Sequence, residues 1–174
     1  MRHKTTWAAL SAAVLLGCVP ACSSGGQGRD FGVPGALCGV GVPAGPLARL
    51  LPASGERLAS KSDTASEDRH AGCEVTVDGD RVLSVERERV DAGRSAWNIA
   101  SYDRRIGHAK TGENATIAYV GRAAVSVVPC TGKDDRDEAV STYIRTLEPG
   151  RQDEAAMKEL ISGYTAALRS QHPC

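Results

Sequence analysis

From Cys73 to Asp78 the chain alternates apolar and polar positions, with Cys73, Val75 and Val77 set against Glu74, Thr76 and Asp78. It alternates again from Leu83 to Glu88, with Leu83, Val85 and Arg87 against Ser84, Glu86 and Glu88. A period of two marks a half-buried strand. Asp78-Gly79-Asp80 between the runs is a turn signal, so the segment predicts a β-hairpin. Keeping Val75 and Leu83 on one face requires odd positions to pair with odd. A three-residue loop, Val77-Asp78-Gly79 with Gly79 left-handed, supplies that register. A two-residue loop would split the apolar face. Ala115–Val120 and Arg122–Cys130 read as two further strands around Gly121. Ala139–Leu147 reads as a fifth, with Val140, Thr142 and Ile144 on one face and Tyr143 and Leu147 on the other.

The helical signals are fewer. Ala44–Leu51 places Leu47, Leu50 and Leu51 at i, i+3, i+4, with Pro46 in the first turn and Pro52 past the end. Asp91 is positioned to cap a helix over Ala92–Arg105, with Trp97 and Ala100 three apart and Ile99, Tyr102 and Ile106 as an overlapping stripe. Met157, Leu160, Ile161, Tyr164 and Leu168 form the clearest stripe in the chain. Asp153 and Glu154 stand before it, where the helix dipole favours acids. This predicts an amphipathic helix of about 17 residues that must lie on an apolar surface. Residues 53–70 carry no such pattern and read as a long exposed loop. The order predicts an α+β fold: an antiparallel sheet of about five strands with helices packed on one face, including the C-terminal amphipathic helix.

The N-terminal pattern is of another kind. Arg2, His3 and Lys4 precede an uncharged run, Thr5 to Gly17. At about 1.5 Å per residue that run spans about 20 Å, short of the ~30 Å hydrocarbon core, and reads as a signal-peptide core and not as a membrane span. The cleavage region resembles a bacterial lipobox, in which a cysteine is acylated and becomes the new N-terminus. Leu15-Leu16-Gly17-Cys18 and Val19-Pro20-Ala21-Cys22 compete, and Ser23-Ser24-Gly25-Gly26 follows the second at once as a tether. Acylation at Cys22 leaves an even set of cysteines. Acylation at Cys18, or ordinary cleavage before Cys22, strands a fifth thiol. The reading is therefore a lipoprotein signal at 1–21, lipid attachment at Cys22, a Gly/Ser-rich tether over 22–36, and one domain over 37–174.

Cys38, Cys73, Cys130 and Cys174 then allow three pairings. Cys38 precedes the first helix and Cys73 opens the first strand; Cys130 ends a strand and Cys174 lies in the tail. Cys38–Cys73 would pin the polar loop and Cys130–Cys174 the C-terminal tail, and these are the pairs we expect. Leu, Ile, Val and Phe make up only about 19% of the chain. A core this lean gives each staple weight. The chain-entropy estimate is about 4 kcal/mol per bridge against a typical 5–15 kcal/mol for a whole domain. No C-x-x-C occurs, and an exported chain favours disulfides over a metal or redox role.

Charge narrows the partners. The chain holds 21 basic and 21 acidic residues, so the basic excess of a nucleic-acid binder is missing. Loss of residues 1–21 removes Arg2 and Lys4 and no acid, leaving 19 against 21. The motifs of catalysis do not assemble. Gly93-Arg94-Ser95-Ala96-Trp97 lacks the second glycine of a nucleophile elbow, and Ser95 fits the first turn of a helix better. Gly132-Lys133-Asp134 lacks the hydroxyl of a phosphate loop. Asp134, Asp135, Asp137 and Glu138 fail the calcium-loop spacing and read as a solvated turn. Glu86-Arg87-Glu88-Arg89 reads as a charged strand edge. His70 and His172 lie near cysteines, and His108 sits alone in a loop. Trp97 and Tyr164 read as core packing. No catalytic residue, metal ligand or cofactor is assigned.

These pieces together resemble the small lipoproteins of high-GC actinomycetes such as streptomycetes. The signal ending in ACSSGG, Leu37-Cys38-Gly39, Leu50-Leu51-Pro52, Gly72-Cys73 leading into VTVDG, AVSVVPC at Ala124–Cys130 and the closing YTAALRSQHPC carry the likeness. The resemblance implies an extracytoplasmic α+β domain with paired cysteines, and no activity. The function expected is a lipid-anchored, non-catalytic binding or accessory module on the outer face of the cell membrane. Its partners would be membrane lipid and an envelope protein or small-molecule ligand, and no nucleic acid. Two alternatives stand: an envelope enzyme without a local motif, signalled by His108 near Asp103 or Glu113, and a structural partner of a membrane complex, signalled by a broad apolar sheet face.

Overall fold

The computed structural model describes residues 28–63, 70–112, 114–132 and 136–174. Alternation dominates this chain, and strands dominate the result. Among the described residues, β1 (Ala36–Leu37) and β2 (Val40–Gly41) form a small ladder before helix α1 (Ala44–Leu50). A sheet follows from β3 (Leu58–Asp63), β4 (His70–Val77), β5 (Asp80–Asp91), β6 (Lys110–Gly112), β7 (Ile117–Val120), β8 (Ala123–Pro129) and β9 (Glu138–Thr146). Helix α2 (Ala96–Asn98) continues as a π turn over Ile99–Asp103 between β5 and β6, and α3 (Glu154–Ser170) closes the fold. The sheet is antiparallel throughout in the order β3-β4-β5-β9-β8-β7-β6.

The sheet thus has seven described strands where alternation gave about five. β3 and β6 are the additions, and both lie at edges. β3 falls inside the stretch read as a loop, and six of its residues pair with β4. An edge strand needs a partner for only one side of its backbone and no apolar face of its own. Leu58, Lys61 and Ser62 therefore give no periodic signal while blunting the edge.

Val75 does stand opposite Leu83, as the apolar pattern demands. The route is different from the expected three-residue loop. Val77 pairs with Asp80 across a two-residue Asp78-Gly79 turn, both residues at positive φ. Val82 is then an extra residue on β5, between the pairs Thr76–Arg81 and Val75–Leu83. This bulge restores the parity that a short turn removes, and keeps Leu83 and Val85 inside.

Two apolar layers result, one on each face. On the first, Val75, Leu83, Val85, Ile144, Ala124 and Ile117 meet α1 and α3. Met157, Leu160, Ile161, Tyr164 and Leu168 are all fully buried there, each worth about 1.5–3 kcal/mol in area removed from water. The Asp153 side chain caps α3 by accepting from the Ala156 N–H at 2.9 Å. Gly163 lets α3 approach closely, since a Cβ there would stand 2.6 Å from Pro43. On the second face, Ala96, Ile99, Ala100 and Ile106 pack on Ala118, Ala123, Val125, Val127 and Ala139. The helices therefore lie on both faces of the sheet, not on one. Small alanines on the sheet, Ala118, Ala123 and Ala139, take the packing of the short α2 segment.

Folded structure also begins earlier than Leu37. Arg29 bridges to Gly55, and its guanidinium donates to the carbonyls of Ala48 and Pro52, each at 2.7 Å. Arg151 donates to Leu51 and Ala48 from the other side, so two cations cap the C-terminal end of α1. Burial, and then the Arg151 charge, lower the Arg29 pKa. Phe31 enters the core at 8% exposure. Composition reads residues 22–36 as tether because the stretch is rich in Gly and Ser; from Arg29 onward two side chains, Arg29 and Phe31, anchor it to the fold.

Candidate interaction surface on the π turn

The helix expected over Ala92–Arg105 is shorter and of another form. β5 runs on to Asp91, paired with Glu138, and the Ala92 N–H donates to Asp137 at 2.9 Å. The cap is Ser95 and not Asp91: the Ser95 Oγ accepts from the Asn98 N–H at 3.1 Å. After one turn the ladder widens, with the Arg104 N–H bonding Ile99 O at 2.9 Å. This is the i→i+5 closure of a π turn, a feature concentrated at functional positions.

The widening changes which side chains meet. Five residues apart on an α-helix is a rotation of about 140°, on different faces. Here Trp97 and Tyr102 come together, ring centroids 5.9 Å apart and planes at 89°. Both are solvent-exposed, Trp97 at 40% and Tyr102 at 70%, and they are the exposed large hydrophobic side chains among the described residues. The expectation that Trp97 packs in the core is therefore overturned; Ala96, Ile99 and Ala100 take the inward positions instead. Arg94 donates to Asp103 at 2.5 Å and ties the entry of the element to its exit. The result is a clamped platform bearing Trp, Tyr and Arg, the residue types that dominate binding energy at protein interfaces.

The rest of this face is ionic. Glu86 and Glu88, read as a charged edge, belong to a central strand. They point to the α2 side of the sheet and accept from Arg104 at 2.8 and 3.1 Å. Arg104 also stands over the Tyr143 ring, 4.7 Å from its centroid. Arg87 and Arg89 take the α3 side, where Arg89 bonds Glu138 at 2.6 Å. Where α2 leaves the sheet uncovered, Glu74 and Arg81 form an ion pair at 2.6 Å, so this part of the face is not apolar.

The cysteines join as expected. Cys38 bonds Cys73 with Cα atoms 5.4 Å apart, and Cys130 bonds Cys174 at 5.6 Å. Cys22 and Cys18 lie outside the described residues, as do Glu113, Asp134 and Asp135. His108 is exposed in a turn at φ 56°, and Asp103 is engaged by Arg94. His70 enters β4 opposite Glu88, and His172 lines a 310 Å³ pocket beside the Cys130–Cys174 bridge. A 370 Å³ cleft touches Asp30, Glu56, Asp78 and Asp80, but the Asp78 carboxylate is occupied by the backbone N–H groups of Glu56 and Arg57. The described residues hold no group of three or more His, Cys, Asp or Glu placed to bind a metal, and no helix among them is long and apolar enough to cross a membrane.

Comparison with protein-family models, curated proteins and solved structures finds no match to this chain.

Proposed function

We propose that this protein is an extracytoplasmic binding module, held to the outer face of the cell membrane by an acylated Cys22, whose Trp97–Tyr102 platform docks an envelope protein. The exposed aromatic pair carries the reading. Six aromatic residues follow Cys22 in the sequence, and two of them are spent in solvent on a turn fixed by an ion pair. Burying those rings against a partner recovers their hydrophobic energy with little loss of rotamer freedom.

The two disulfides favour an oxidising compartment. With Arg29 anchored, seven backbone steps separate the fold from Cys22 and reach about 25 Å at full stretch. The module would stay close to the lipid surface and present its platform to membrane neighbours.

The test is a photoreactive residue at position 102 of the full chain expressed in its own cells, with one at Lys158 on α3 as control. The reading expects a discrete adduct from position 102 that Trp97→Ala abolishes, and none from position 158. Equal labelling from both positions, or none from either, overturns it. Cys22→Ala should free the protein from the membrane fraction or accumulate precursor. If it stays acylated while Cys18→Ala is released, Cys18 is the anchor.

A further inference from the structure

Arg105 closes the π turn at φ 53°, in the left-handed region, and the Ile106 N–H just beyond it donates back to the Ala100 carbonyl at 2.7 Å. Glycine usually holds such a helix-ending position, because a Cβ there crowds the backbone. The other non-glycine residues at positive φ among those described are Cys38, Asp78, His108, Asn114, Ala115 and His172. Asp, Asn and His are the types that tolerate this conformation, and Cys38 is fixed by its bridge. Arg105 and Ala115 are left, and of these two Arg105 alone carries a functional group.

Nothing in the fold uses that side chain. Arg105 is exposed, three residues after Tyr102, and has no hydrogen bond, ion pair or ring contact among the described residues. The neighbouring charges are engaged with one another. Asp103 accepts from Arg94, Glu86 and Glu88 accept from Arg104, and Glu154 accepts from Lys110. Of the three arginines in this segment, Arg94 and Arg104 hold the structure together and Arg105 does not. A strained backbone that presents an unused cation beside an exposed aromatic pair is the pattern of a functional position.

We propose that Arg105 sets the specificity of the Trp97–Tyr102 platform, and that the partner protein presents an Asp or Glu carboxylate beside the apolar side chain that covers the two rings. The inference rests on the platform reading above. A guanidinium holds a carboxylate through two parallel N–H donors, which fixes register as well as affinity. A single carboxylate fits this face better than an anionic lipid surface does. Asp91 ends β5 just before the segment and Asp103 lies within it, both exposed, and an extended negative surface would press on them as well.

The experiment keeps the photoreactive residue at position 102 of the full chain in its own cells and adds changes at Arg105. Adduct with the partner should fall roughly tenfold in Arg105→Gln and recover only in part in Arg105→Lys. Asp91→Asn should leave it unchanged. Mapping the adduct should find an Asp or Glu within a few residues of the labelled site, and exchanging that acid for Arg should restore labelling in Arg105→Glu. Arg105→Gly relieves the backbone, so it should raise the melting temperature while losing the adduct. No adduct from the otherwise unaltered chain overturns the platform reading and this inference with it. An adduct that Trp97→Ala abolishes and Arg105→Gln leaves whole overturns the inference alone. So does a lower melting temperature in Arg105→Gly, which would give the side chain a structural task, and so does labelling of anionic lipid in place of protein.

Discussion

Arg104 binds two acids of a single strand: its guanidinium reaches Glu86 at 2.8 Å and Glu88 at 3.1 Å while lying over the Tyr143 ring. The Arg104 and Glu88 side chains are 21% and 24% exposed, so that pair is partly shielded from water, whereas Glu86 at 42% is the solvent-facing arm. Removing the cation leaves two like charges on a central strand. Arg104→Gln should cost about 1–3 kcal/mol by urea unfolding, and adding Glu86→Gln and Glu88→Gln should recover part of it. Equal loss in the single and triple variants would show that Arg104 acts through packing alone.

Trp97 and Ile99, two residues apart, should separate binding from folding. Trp97→Ala should lower the melting temperature little, because the ring is exposed. Ile99→Ala should cost about 2–5 kcal/mol, because it opens the second core beneath the platform. Complementation should fail for Trp97→Ala with the fold intact, and persist for His108→Ala. The reverse result would move the activity to His108.

The two bridges close loops of similar size, with sequence separations of 35 and 44. Cys38→Ser/Cys73→Ser and Cys130→Ser/Cys174→Ser should each cost about 2–5 kcal/mol. Non-reducing peptide mapping of the mature protein should return the same two pairs. A Cys38–Cys130 peptide would contradict the fold.

Tyr164 fixes a pH window. Its pKa is pushed from the ordinary 10.0 up to about 12, first by desolvation, against which Arg87 pulls down. The unfolded chain therefore releases this proton first as pH rises. The stabilisation is whole below about pH 10 and declines as pH climbs toward 12, by about 3 kcal/mol in all. Tyr164→Phe should flatten that alkaline decline in urea midpoints measured from pH 9 to 11. An unchanged slope would mean that another group carries it.

Much of this protein is local and legible in its sequence. The stripe Met157, Leu160, Ile161, Tyr164, Leu168 fixes α3, because a 3.6-residue period leaves one way to bury those side chains. The alternation around Val75 and Leu83 fixes their shared face, because a one-residue slip would turn every apolar group outward. The order of Cys38, Cys73, Cys130 and Cys174 along those elements was enough to choose the pairing. Tertiary structure decided what depends on neighbours far along the chain. β3 exists because β4 offers it an edge, and the Val82 bulge because turn geometry and face burial conflict. Glu86 and Glu88 look like an edge until Arg104 arrives across the sheet. Trp97 faces solvent because the π turn gives the inward positions to Ile99 and Ala100, and no spacing in the sequence distinguishes a π turn from an α-helix.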